Sequence, residues 1–192
     1  ADGAFDLAVN GGDMLVVRYE KAGYIPSQRQ AAPKWQSYAI LDDIVLVTYD
    51  TAVTTIDFTA PIQVARGTPV TDQDGRRQAT LLFRSGTTAT AELPEGTGLI
   101  LPTLSVRATE FTVGEIGPAA MPADLPPTSA YTYAVELSAD EAEALGATRI
   151  TFSEPVAYYI ENFLGLAVGA DVPVGSYDRG RGVWEPEDNG RV

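Results

Sequence analysis

Turn-forming residues recur roughly every ten positions along this chain, and short β-branched or alternating runs separate them. That spacing constrains the fold more than any other feature: it leaves room for strands of ordinary length and for little else, the pattern of sandwiches and barrels. In "QATLLFR", Ala79, Leu81 and Phe83 fall on one face. In "LSVRATEFTV", Leu104, Val106 and Ala108 oppose Ser105, Arg107 and Thr109. "YTYAVELS" places Tyr131, Tyr133, Val135 and Leu137 on a common face, and "AVTTIDF", "IQVARGTPV", "TTATAEL", "ATRITF" and "VAYYIEN" read as further strands. Helix–strand alternation and repeats of fixed period are lacking, so a parallel sheet or a solenoid is not expected. One helix is expected near 138–145, where "SADEAEALG" has the form of a capping box with Ser138 as N-cap, Glu141 three residues on and Gly146 as terminator. The fold class is therefore all-β, with two packed β-sandwich-like units and one short helix.

The first fifty residues invite a more specific reading. Phe5, Leu7 and Val9 alternate with Asp6 and Ala8, and "NGGD" after them supplies positive-φ residues, so a hairpin is expected with "MLVVRYEKAGY" as its returning strand. "YIPSQRQAAPKW" reads as a loop, because Pro26 and Pro33 would each break a ladder. "YAILDDIVLVTY" (38–49) reads as a strongly apolar strand with a bulge at Asp42-Asp43. The proline-rich stretch 114–129 reads as an ordered crossover.

Composition removes whole classes of chemistry. The 192 residues include no His and no Cys, which excludes a Ser-His-Asp triad, a thiol nucleophile, an ordinary zinc site and any disulfide framework. With 13 Lys+Arg against 26 Asp+Glu the net charge is −13, a surface that repels phosphate backbones; no nucleic-acid partner is expected. No run of the sequence is long and apolar enough for a membrane span, and the first residues lack the basic and apolar regions of a signal peptide. No cofactor is expected.

Several constellations carry a functional reading beside a plainer one. Asp72, Asp74 and Gly75 resemble the opening of a calcium loop but lack its remaining oxygen ligands, so a hairpin turn is expected and no metal site. Asp42 and Asp43 point to opposite faces if extended and cannot converge on one substrate. Glu154, Glu161, Asp171, Asp178, Glu185, Glu187 and Asp188 contain no spacing that fixes a catalytic carboxylate pair, so no catalytic residue is assigned. Tyr158, Tyr159, Phe163, Tyr177 and Trp184 are candidate packing or interface residues, with the lining of a sugar groove as the alternative. In the tail, Gly165, Gly169, Gly175, Gly180, Gly182 and Gly190, with Pro173 and Pro186, punctuate short strands. Tyr177 and Trp184 flank "DRGRG" at a spacing that lets them pack across a hairpin.

Two segments resemble known families. "DGAFDLAVNGGDMLVVRYEKAGYIPSQRQ" resembles the later strands of a carboxypeptidase regulatory-like domain, a small transthyretin-like sandwich, through its "DGxF" entry (2–5) and "EKAGY" strand end (20–24). The usual opening strands are not in the sequence, so the chain is expected to begin inside that domain and to be part of something longer. The stretch from 131 onward is similar to the segment ahead of the repeats in bacterial Rhs (YD-repeat) proteins, on "ENFLG", "VPVGSYDR" and "GVWEPEDNGRV", and 38–112 fits the same arrangement. The resemblance implies a partial sandwich over 1–50 and a module over 51–192, with a sub-boundary at 114–130. It further implies a secreted or surface-delivered bacterial protein whose repeats wrap into a β shell, often around a toxic C-terminal region. Domains ahead of the repeats plug or cap that shell, as in the related teneurins. The expectation is a non-catalytic β module that plugs, caps or spaces the shell, with the rest of its parent protein as partner. The alternatives are an adhesion module binding glycan or calcium and, last, a carboxylate-dependent hydrolase.

Overall fold

The computed structural model describes residues 3–124 and 132–192. Among the described residues the chain is built from antiparallel strands, with two short α-helices and a 3-10 turn (Gly114–Ile116) between them. β1 (Leu15–Tyr19) pairs with β2 (Ser27–Ala31) through a turn in which Gly23 takes a positive φ. Three further sheets hold three strands each. In the first, β3 (Thr54–Asp57), β10 (Thr103–Glu110) and β11 (Val135–Ala139) lie in the order β11-β10-β3. In the second, β8 (Ala89–Glu92) runs between β9 (Gly98–Leu101) and β12 (Arg149–Phe152). In the third, β7 (Thr80–Phe83) runs between β4 (Gln63–Arg66) and β13 (Ala157–Tyr159). Two hairpin ribbons complete the set: β5 (Val70–Asp72) with β6 (Gly75–Arg77), and the long tail pair β14 (Asp171–Asp178) with β15 (Val183–Arg191). Helix α1 (Gly117–Ala120) lies in the crossover and α2 (Asp140–Leu145) follows β11. No helix among the described residues is long and apolar enough to cross a membrane.

The alternating patterns translate directly into a core. Ala79, Leu81 and Phe83, together with Leu104, Val106 and Ala108, are buried in one cluster with Ile56, Phe58, Ala65, Ala89, Ala91 and Leu101. Phe83 sits edge-on to both Phe58 and Phe152, with ring centroids 6.4 and 5.8 Å apart, a geometry that adds attraction beyond area burial. A second, smaller cluster joins Ile25, Phe111, Met121 and Ala134, with Val47, Tyr49 and Trp184 packed against it. It connects the N-terminal ribbon, the crossover and the tail hairpin. In "YTYAVELS" the shared face is only partly interior: Tyr133 and Val135 pack on the larger core, Leu137 is exposed, and Tyr131 lies outside the described residues.

Four local expectations are corrected. No strand forms at Phe5, Leu7 and Val9; residues 3–10 are exposed, and β1 pairs instead with 27–31, the stretch expected to be a loop. The physical reason is that Pro26 and Pro33 flank β2 rather than interrupt it, so all five of its residues keep their N–H for the ladder. Second, 38–49 is not a strand. It makes one bridge, Thr48 to Tyr24, while Tyr38 and Ile40 are 94% and 95% exposed. An apolar run becomes a strand only where a ladder partner meets it, and without a ladder Asp42-Asp43 is no bulge. Third, β9 lies in a stretch from which no strand was expected, the sequence between "TTATAEL" and "LSVRATEFTV". Fourth, the helix has no capping box. Ser138 belongs to β11, the N-cap is Ala139, and the Glu141 carboxylate accepts the N–H and O–H of Ser105 at 2.7 and 2.9 Å. A tertiary acceptor role displaced the local one, while Gly146 closes the helix in the left-handed region as expected (φ 63°). The part of the proline-rich crossover from 125 onward falls outside the described residues.

Because Phe83 touches two other rings at the centre of the larger core, Phe83→Ala should lower unfolding free energy by about 3–5 kcal/mol. Urea denaturation of the variant measures this, and a loss below about 1 kcal/mol would reject the assignment of Phe83 to a tightly packed centre.

Candidate interaction surface

The acidic side chains are largely committed to internal partners. Asp72 accepts both Nη1 and Nη2 of Arg77 at 2.8 Å, a two-pronged pairing. Glu110 accepts Arg77 Nε at 2.6 Å and Thr112 Oγ1 at 2.7 Å. Asp140 holds Arg107, Glu92 holds Arg149 and Glu136 holds Arg179. Burial pushes the Glu136 carboxyl above its ordinary range, and the Arg179 guanidinium opposes that shift. Glu161 accepts the Gln78 N–H at 2.6 Å. Among the described residues no group of three or more acidic side chains could hold a metal ion. A shallow, open depression is lined by Gly23, Tyr49, Arg107, Asp140 and Glu143, but its charged groups bond one another: Arg107 to Asp140, and the Tyr49 hydroxyl to Glu143 at 3.1 Å.

The five aromatic residues singled out by sequence divide into two clusters and one outlier. Tyr177 and Trp184 are direct partners across β14 and β15, with ring centroids 5.2 Å apart. The hairpin turn brings them there: Asp178 Oδ1 accepts the N–H groups of Gly180 and Arg181, and Gly182 closes on Asp178 O with a positive φ. Gly182 is buried, and a Cβ there would meet Val16, Gln28 and Gln30, so the turn is seated on the β1–β2 ribbon. The Tyr177 hydroxyl reaches Gln28 Oε1 (2.6 Å) and Pro122 O (3.1 Å), while Gln28 Nε2 is buried with no partner. One hydroxyl proton serves one acceptor. The rotated Gln28 amide, which donates Nε2–H to Tyr177 and frees the hydroxyl for Pro122, satisfies more of these groups. Burial pushes the Tyr177 hydroxyl up to about 12. Trp184 Nε1 points at Ala123 O.

The second cluster is built on Arg77. Phe163 lies 5.0 Å from its guanidinium and edge-on to Tyr133, which bonds the Tyr158 hydroxyl; burial pushes Tyr158 up to about 12. Tyr159, next along β13, is exposed and joins neither group.

Large apolar side chains are also bare at the N-terminal end. Phe5, Leu7, Val9, Met14, Trp35, Tyr38 and Ile40 are all exposed, and all belong to the first 46 residues. Sequence reasoning assigned most of them to strands and so to an interior. The available signal was the lack of a second alternating run able to cover them.

The family model described as the teneurin TTR-like domain matches residues 1–46, which fits the transthyretin-like resemblance of this segment. No solved structure matches the chain.

Two expected outcomes follow from the paired groups. The Arg77 hydrogen bonds hold Asp72 down to about 2 from its ordinary 3.8. Since the folded value is the lower one, its contribution is complete above pH 3.8 and is lost as pH falls towards about 2. Asp72→Asn should therefore flatten the fall of urea midpoint with acid across that window, and an unchanged slope would reject the pairing. Trp184 is half-buried over the smaller core, so Trp184→Ala should cost about 2–3 kcal/mol, below the full-burial range. A loss within ±0.5 kcal/mol, the surface value, would show that the ring is not part of that core.

Proposed function

We propose that this chain is a non-catalytic structural module that plugs, caps or spaces the β shell of a secreted or surface-delivered Rhs-type protein. In this reading residues 1–50 are part of a transthyretin-like sandwich and 51–192 form the module next to the repeats. The observation that carries it is the exposed apolar and aromatic set of the first 46 residues. Trp35 is 76% exposed, and Tyr38 and Ile40, three and five residues on, are also bare; apolar side chains gathered on a surface mark interaction sites. The match of the same residues to the teneurin TTR-like domain supports the transthyretin-like part of this reading. Carboxylates neutralised by internal arginines support a structural role over hydrolysis.

The test separates docking from packing. Trp35→Ala, Tyr38→Ser and Ile40→Ser together should leave the stability of this chain within about 0.5 kcal/mol per site, as surface changes do. The same triple variant should lose association with a co-expressed YD-repeat region, read by co-purification. Retained association would sink the proposal. Binding to a glycan array in place of the repeats would favour the adhesion alternative.

A further inference from the structure

The chain has three asparagines, and two of them, Asn10 and Asn189, precede glycine. The structure assigns Asn10 as a site of spontaneous covalent modification: deamidation through a cyclic imide, giving isoaspartate and aspartate. The fold leaves the reacting atoms free there and restrains them at the other two asparagines.

In the reaction the Gly11 nitrogen attacks Asn10 Cγ. The new N–Cγ bond forms as Cγ–Nδ2 breaks, and ammonia leaves with the proton from the Gly11 N–H. Water then opens the imide. Attack at Cγ gives aspartate, and attack at the main-chain carbonyl gives isoaspartate, with the chain continuing through Cβ and Cγ. Water is the only co-reactant, and nothing is oxidised or reduced.

Three observations favour Asn10. It is exposed and lies outside any strand. Gly11 N–H makes no hydrogen bond among the described residues, whereas the next N–H, Gly12, donates to Pro33 O at 3.0 Å. Position 11 also has to be glycine, since a Cβ there would lie 2.9 Å from Pro33 O; the packing that fixes this turn thus keeps the least hindered nucleophile beside Asn10. At Asn189 the following glycine is paired with Val172 in the β14–β15 ladder, next to the register shift between Val172 and Val174, so cyclisation first has to open the ribbon. At Asn162 both ends of the amide bond Leu166, at 2.7 and 2.8 Å, and the next residue, Phe163, is bulky with its N–H committed to Glu161 O.

The product acts on the fold. Isoaspartate adds a methylene to the main chain immediately before the glycine pair that docks on 33–34. That lengthening unseats Gly12 from Pro33 and loosens the 3–9 segment, whose Phe5 ring rests edge-on to Tyr19 at 5.7 Å.

The full chain would be aged at mildly alkaline pH, and peptide mapping by mass spectrometry would follow each asparagine. Asn10 should react about tenfold faster than Asn189, which corresponds to about 1.4 kcal/mol, the scale of one net hydrogen bond. In urea, where no ladder survives, the two Asn-Gly sites should react at similar rates. Aged protein should be cut faster by protease within 3–14, and Asn10→Asp, which carries the charge without the methylene, should not. Equal native rates at the two sites, or a difference that persists in urea, would overturn the assignment. Equal protease sensitivity of Asn10→Asp and aged protein would overturn the proposed effect of the methylene.

Discussion

The guanidinium of Arg77 is the interaction on which the centre of this chain depends. The residue is 1% exposed, and an unpaired charge at that depth would cost more than the fold could offset. Its five N–H donors all have acceptors: Asp72 takes two, Glu110 one, and the carbonyls of Gly75 and Thr112 one each at 3.4 Å. Those acceptors come from the β5–β6 hairpin and from the end of β10, and Phe163 stacks on the cation from beyond β13. One side chain thus fixes three parts of the chain that share no ladder. Deleting either carboxylate would leave buried guanidinium N–H groups without acceptors, which makes the node costly to break even where its formation adds little net stability.

Arg29 offers the contrasting case. It is also buried, but its Nη1 bonds only a hydroxyl and two carbonyls, its Nε lacks a hydrogen bond, and the Asp124 carboxylate stands 3.7 Å away in solvent. Around it, β2 supplies Ser27 and Gln28 as buried polar residues, tied to the crossover carbonyls and to Tyr177. The smaller core is therefore a thin apolar cluster rimmed by hydrogen bonds. It holds the N-terminal ribbon, the crossover and the tail hairpin by specificity of pairing more than by buried area.

What the sequence made legible follows from which forces act locally. Ala79, Leu81, Phe83, Leu104, Val106 and Ala108 alternate, and alternation reports burial because each strand contributes one face to the same core. The Tyr177–Trp184 pairing was legible because hairpin spacing fixes the register. The strand 27–31 was not, since its side chains are polar and its burial depends on carbonyls almost a hundred residues away. Ser138 and Glu141 misled for a related reason: the local capping motif was outcompeted by Ser105, a partner from another strand. Arg77 gave no signal either, because a buried arginine next to a turn looks in sequence like any solvated one. The apolar run 38–49 shows the limit of hydrophobicity as a guide, for its first residues, Tyr38 and Ile40, stand in solvent while only Val47 and Tyr49 near its end pack on the smaller core.

The chain's two tryptophans occupy opposite environments. Trp35 stands in solvent, while Trp184 packs against Tyr177 and the smaller core. The molecule consequently carries two built-in optical reporters with separable emission: a red-shifted, readily quenched one on the N-terminal segment and a bluer, shielded one at the base of the tail. Covering the first would shift and protect its emission without touching the second, and loosening the tail hairpin would do the reverse. Steady-state fluorescence with a soluble quencher can therefore assign an event to one end of the chain, with no label added.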